Sequence, residues 1–227
     1  DLVLRELGPE AYDAWMAGDR GFQDEGIRDA FEQFDEMVVA GDRSFGGVRQ
    51  ILQTEVAATS TPLFGDPQCA MYKQASFADN WFPDSVDVGP DGDVDIFVLP
   101  GTTSDPPPLV VGGDALVQFD NRPEVDALLE YLASPDGGRV WAGEGGFLAD
   151  LQTVDGEEYY PPTEARLAEL LLDADRVRRF DASDVLPVDV GSGLLWQRIT
   201  SWIAGTLTLD ELLTSVDTAL EDERSPD

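Results

Sequence analysis

The chain has no histidine, one cysteine and one lysine. Without histidine there is no histidine general base, no histidine-based catalytic triad and no histidine metal ligand. A lone Cys69 excludes an internal disulfide and a cysteine metal cluster. No window holds the roughly 18–20 consecutive apolar residues of a membrane span. Positive charge is scarce as well. The 14 basic residues stand against 46 acidic ones, a formal charge of −32. That field repels phosphate backbones and anionic headgroups, so nucleic acid is excluded as a partner class.

What is present describes a folded protein. Apolar residues make up 42% of the 227, too many for a disordered chain. The length suits one large or two small domains with a core. The acidic, lysine-poor, Asp-rich composition fits a salty or extracellular setting. The chain starts at Asp1 rather than Met and carries no signal peptide or lipid-attachment cysteine, so a processed or truncated chain is expected.

The pattern predicts α/β structure with helices in excess. Pro9 opens a helix over 10–16. Asp24 caps a second helix, with Ile27, Phe31, Phe34 and Val38 at helical spacing and Gly41 at its end. Helices also follow over 48–55, 123–132, 135–143 and from Thr163, with Leu167, Leu170 and Leu171 inward. Two more cover 193–204 and 209–221, the latter capped by Thr208. Strands are expected at Cys69–Tyr72, at Val94–Leu99, and at Leu109–Val111 with Ala115–Val117 around Gly112-Gly113-Asp114. Asp150 to Pro162 reads as a polar connection.

Candidate chemistry is thin. Asp91-Gly92-Asp93-Val94-Asp95 starts like a calcium loop, but Ile96 and Thr102 stand where glycine and glutamate are required, so an acidic turn is the better reading. Gly143-Glu144-Gly145-Gly146-Phe147 follows a helix and carries a carboxylate, which fits a chain reversal rather than a phosphate cradle. With so many acids, paired carboxylates for a glycosidase carry almost no signal. Cys69 in an apolar stretch reads as a buried free thiol. The five tryptophans carry more. Sugars present apolar C–H faces that stack on aromatic rings. Trp141, beside Val140, reads as core. Trp196 follows Gly191-Ser192-Gly193 and precedes Gln197-Arg198, so it reads either as core, which composition favours, or as the lining of a cleft.

Segment order adds a resemblance. In sequence come Gly8-Pro9-Glu10-Ala11-Tyr12-Asp13, then 69–77 (CAMYKQASF), Gly112-Gly113-Asp114-Ala115 and Arg122-Pro123-Glu124-Val125. Leu132-Ala133-Ser134-Pro135, Gly145-Gly146-Phe147, Phe180-Asp181-Ala182-Ser183-Asp184, Val190-Gly191-Ser192-Gly193, Trp196 and the closing helix from Thr208 follow. This order resembles the C-terminal part of an extracellular solute-binding protein of a carbohydrate ABC importer, of the maltose/α-glucoside type. The similarity covers nearly the whole chain and rests on no single motif.

The resemblance implies a type II periplasmic-binding-protein fold, two α/β lobes with sugar held in the cleft between them. Residues 1–108 would be the first part of the C-terminal lobe, 109–149 a segment of the N-terminal lobe, and 150–227 the closing helices of the C-terminal lobe. Trp196 takes the place of an aromatic that stacks on a sugar ring, and Phe77 that of a second. Gln74 lies in the same stretch. Asp114, after Gly113, would accept bonds from sugar hydroxyls, and Ser192 and Gly193 would let ligand approach the backbone. Cys69 often pairs in this subfamily with an upstream cysteine, which this chain lacks. The implied partners are a small sugar and a membrane permease, with no metal, cofactor or catalytic residue. The implied location is extracellular or periplasmic, as a membrane-anchored lipoprotein in the complete form. A carboxylate-dependent glycoside hydrolase and a stand-alone interaction domain without ligand stay open, as does dimerisation of the truncated chain.

Overall fold

The computed structural model describes residues 1–40, 43–64, 66, 69–149, 160 and 162–225. Among them helices dominate, and the sheet is a single parallel pair. Contacts divide the chain into two units. The first is Asp1–Glu55, Leu99–Gly112 and Asp175–Asp227; the second is Val56–Val98 and Gly113–Ala174.

The first unit is built on α1 (Leu2–Met16), α2 (Glu25–Phe34, running into a π-helical turn Asp35–Val39) and α3 (Gly47–Gln53). Pro9 does open a helix over 10–16, but residues 2–7 are helical as well. The two halves meet at Gly8, whose φ of 81° breaks the helical path. Asp24 caps α2 by accepting the Gly26 N–H at 3.0 Å. The expected end at Gly41 lies outside the described residues.

β1 (Leu109–Val111) pairs with β2 (Arg178–Phe180), Val110 opposite Arg179. Sequence pattern reveals β1 but not β2, whose Arg-Arg-Phe lacks any apolar alternation. β2 is followed by α7 (Ala182–Val185), a π-helical segment Asp189–Leu195, α8 (Trp196–Ile203) and α9 (Leu209–Arg224). Thr208 caps α9 with a reciprocal pair: its hydroxyl accepts the Glu211 N–H, and Glu211 accepts the Thr208 N–H.

The core of this unit joins Leu4, Tyr12, Phe22 and Ile27 to Leu212, Leu213 and Val216, all essentially sealed from solvent. Trp15 sits edge-on between Tyr12 and Phe22 at 5.6 and 5.1 Å. Two polar anchors fix this packing. Asp217 accepts the N–H groups of Phe22 and Gln23 at 2.6 and 3.0 Å. The Tyr12 hydroxyl donates to the Phe180 carbonyl and accepts the Ala182 N–H, both at 2.8 Å. Burial pushes that phenol up to about 12, so it stays neutral.

The second unit carries short 3-10 turns (Val56–Ala58, Thr61–Leu63, Ser76–Trp81) and the helices α4 (Pro123–Leu132), α5 (Pro135–Glu144) and α6 (Pro162–Leu172). Its buried cluster is small: Ala142, Ala149, Tyr160 and Ala168, with Phe147 and Leu148 against it. Helix α6 starts at Pro162, so Thr163 lies inside it, and among its described side chains those buried are Glu164 and Ala168. Most of the connection expected over 150–162 lies outside the described residues.

Three expected strands do not form in the described residues. Cys69–Tyr72 and Ala115–Val117 take no regular structure, and Val94 makes only an isolated bridge to Val88. A strand needs a neighbour to take its ladder bonds, and among the described residues these segments find none beyond that bridge. Some of their apolar side chains stand in solvent, among them Met71, Phe97 and Val117. The acidic segment after Pro90 is a tight turn in which Asp93 accepts the Asp87 N–H at 3.0 Å. No helix among the described residues is long and apolar enough to cross a membrane.

Candidate functional site

Trp196 opens α8 directly after the wider π-helical segment. Gly191 and Leu195 of that segment face inward, while Val188, Ser192 and Trp196, four residues apart, line the outer face. The Ser192 hydroxyl donates to the Val188 carbonyl at 2.9 Å, and the Thr200 hydroxyl to that of Trp196 at 2.8 Å. Trp196 is 69% exposed. Leaving that much indole in water forgoes about 3 kcal/mol of burial free energy. Composition alone favours the core for this residue, and the structure places it outside.

The glycines on either side of Ser192 differ. A Cβ on Gly191 would stand 2.2 Å from the Ser183 carbonyl oxygen, so only glycine lets this segment pack on α7. A Cβ on Gly193 would meet the Val188 oxygen at an ordinary 3.8 Å. Close packing of this segment on α7 thus requires glycine at 191 and leaves room at 193.

The other expected residues belong to the second unit. Phe77 lies on the turn Ser76–Trp81, half-exposed, its ring edge-on to Trp81 at 5.3 Å. Gln74 is exposed and its side-chain oxygen accepts the Ala75 N–H at 2.9 Å. Asp114 is exposed, and a Cβ on Gly113 would meet open space. Cys69 is a free, partly exposed thiol whose N–H donates to the Pro62 carbonyl. Trp196, Ser192 and Gly193 are thus held by one unit, and Phe77, Gln74, Gly113 and Asp114 by the other.

Trp141 is a correction. It reads as core from its neighbours but is 40% exposed, with one face stacked on Phe147 at 4.2 Å and nearly parallel. Gly145 and Gly146, both at positive φ, make the chain reversal that brings Phe147 back onto it.

Sequence reasoning also passes over a carboxyl pair. Glu164 is 4% exposed and accepts the Gly146 N–H at 2.6 Å. Burial first, then the Glu164 carboxyl, push the Asp79 carboxyl up to about 7. The available signal is weak: a glutamate in the first turn of a helix is ordinary. Among the described residues no group of acids is placed to hold a metal ion.

Comparison with known proteins gives two informative relatives. The chain is 34% identical over 207 residues to the osmoprotective compounds-binding protein GgtB of Synechocystis sp., covering 90% of this chain and 48% of the relative. It is 30% identical over 215 residues to the alpha-glucosides-binding periplasmic protein AglE of Rhizobium meliloti, covering 92% of this chain and 46% of that protein. Both are named as binding proteins rather than enzymes. No protein-family model matches the chain, and no solved structure matches it. The chain spans about half the length of these curated relatives. Over about nine-tenths of its length the chain is homologous to these two binding proteins, in agreement with the solute-binding family its segment order resembles.

Proposed function

We propose that this chain is part of a receptor that binds a sugar of the α-glucoside class outside the cytoplasm and delivers it to the permease of an ABC importer. The observation that carries the reading is Trp196, a tryptophan 69% exposed on a helix whose other face is anchored in the core. A rigid, exposed indole offers the flat apolar face on which the C–H face of a pyranose stacks. Ser192, one turn before it, supplies a hydroxyl on the same side, and Gly193 a backbone without a side chain. The resemblance assigns Phe77, Gln74, Gly113 and Asp114 to the same sugar, as a second ring and as hydrogen-bond partners. The names of the two relatives, one for α-glucosides and one for osmoprotective compounds, support this ligand class.

The reading includes the two-lobed fold that the resemblance implies, which a helix-rich chain with few strands allows. Binding of this kind needs stacking and hydrogen bonds, and no reacting group. The test is calorimetry on the complete protein with maltose and trehalose. Trp196→Ala lowers the affinity at least about tenfold, the loss expected when an aromatic anchor is truncated. Unchanged affinity removes Trp196 from the site. Incubation with nitrophenyl glycosides yields no nitrophenol; steady release would replace the receptor reading by a hydrolase.

A further inference from the structure

A stacked aromatic pair and the turn Ser76–Trp81 meet at Gly146 in the second unit. The Trp141 indole lies nearly parallel to Phe147 at 4.2 Å and is still 40% exposed. Phe147 follows Gly145 and Gly146, whose φ values of 83° and 68° suit glycine and fold the chain back onto the indole. Asn80 lies against Gly146. A Cβ there would stand 2.9 Å from the Asn80 Cγ, so the missing side chain is what admits the carboxamide. The Gly146 N–H is itself held at 2.6 Å by the buried Glu164. Asn80 in turn belongs to the turn that carries Phe77 edge-on to Trp81 at 5.3 Å. One exposed carboxamide thus joins two aromatic pairs.

The Asn80 backbone N–H donates to the Asp79 side chain at 2.9 Å. Its carboxamide, by contrast, has no hydrogen-bond partner among the described residues. Two donors and one acceptor in a plane match neighbouring ring hydroxyls, each of which gives and takes a hydrogen bond. Aromatic rings beside such a group suit a ligand with apolar C–H faces and a polar rim. The setting also selects against negative charge. Glu164 holds the adjoining N–H, Glu144 closes α5 beside Gly145, and the chain carries a formal charge of −32. An acidic sugar or a phosphate ester is repelled there, and a neutral pyranose is not.

We propose that Trp141 and Asn80 form a further sugar contact on the second unit, Trp141 stacking on the C–H face of a neutral pyranose and Asn80 hydrogen-bonding the hydroxyls at its rim. This deepens the receptor reading and rests on it. Phe147 fixes the plane of the indole, and Gly146 fixes the place of the carboxamide.

The experiment is calorimetry on the complete protein with maltose and trehalose, joined by NMR of the side-chain amides. Asn80→Ala and Trp141→Ala each lower sugar affinity at least about fivefold, the loss expected when a ligand contact of about 1 kcal/mol is removed. Trp141→Phe keeps a ring on Phe147 and retains more affinity than Trp141→Ala. Asn80→Asp keeps the shape but replaces both donors by a charge, and it loses at least as much as Asn80→Ala. In the wild type, sugar shifts the Asn80 side-chain amide and the Trp141 indole N–H with one common saturation curve. Should Trp141→Ala fail to fold, the Asn80 variants, altered at an exposed side chain, and the wild-type shifts still decide the matter. If sugar binds, but the Asn80 and Trp141 variants stay within about twofold of wild type and neither signal moves, the contact is refuted and the receptor reading stands. If neither sugar binds the wild type, the sugar reading falls and this contact falls with it.

Discussion

Tyr12→Phe isolates one atom of the first unit's core. The ring of Tyr12 is 1% exposed and packs edge-on to Trp15, and phenylalanine keeps both features. Only the hydroxyl is lost. It serves two partners at 2.8 Å, the Phe180 carbonyl and the Ala182 N–H. These partners differ in what they can recover. The Ala182 N–H is buried, and the nearby Asp181 carboxylate is already taken by the N–H and hydroxyl of Ser183. A stranded buried donor costs about 1–3 kcal/mol. The Phe180 carbonyl lies on a partly open strand and regains water, so its loss is about 0–1 kcal/mol. The expected destabilisation is therefore about 1–4 kcal/mol, read as a lower urea midpoint with an unchanged m-value. A loss below about 0.5 kcal/mol would refute the claim that this hydroxyl ties β2 to α1. The pH dependence gives an independent check. The phenol is raised in the folded protein, from its ordinary 10 to about 12. The native state then holds a proton that the unfolded chain releases. The difference between wild type and variant is constant from pH 5 to 9 and shrinks as pH rises from about 10 towards 12.

Two further substitutions test the local reasoning. Gly191→Ala places a Cβ 2.2 Å from the Ser183 oxygen and destabilises by about 1–3 kcal/mol, whereas Gly193→Ala, with 3.8 Å to its nearest neighbour, stays within about 0.5 kcal/mol in the same denaturation assay. Equal effects would contradict the packing of this segment on α7. Thr208→Ala removes the capping box of α9 and lowers stability by about 1 kcal/mol, measured by thermal melts. Glu211 is held below its usual range, first by the Thr208 N–H and then by its hydroxyl. Its contribution is present above the ordinary glutamate range and fades as pH falls through the lowered value, so the Thr208→Ala deficit narrows in acid.

Much of the helical framework is legible in the sequence. Asp24 and Thr208 are N-caps as read, and Pro123 and Pro135 open their helices because their missing N–H falls where no intrahelical bond is made. Strands are less legible. Leu109–Val111 is a strand because Arg178–Phe180 lies beside it, and nothing in Arg-Arg-Phe announces that role. Val94–Leu99 has the better strand composition yet stays unpaired over most of its length. Among the candidate site residues, the types were legible and their exposure was not. Trp141 and Trp196 look alike in composition, and neither is buried.

By itself the sequence determined the excluded chemistries, the acidic field, the helix starts and the segment order that marks the family. These depend on residue identity or on neighbours within a turn. Tertiary structure alone decided that Gly191 rather than Gly193 needs its missing side chain, that Trp196 faces solvent, and that Glu164 is buried against the Gly146 N–H. Each of those is a distance between atoms separated along the chain, fixed only once packing brings their segments together.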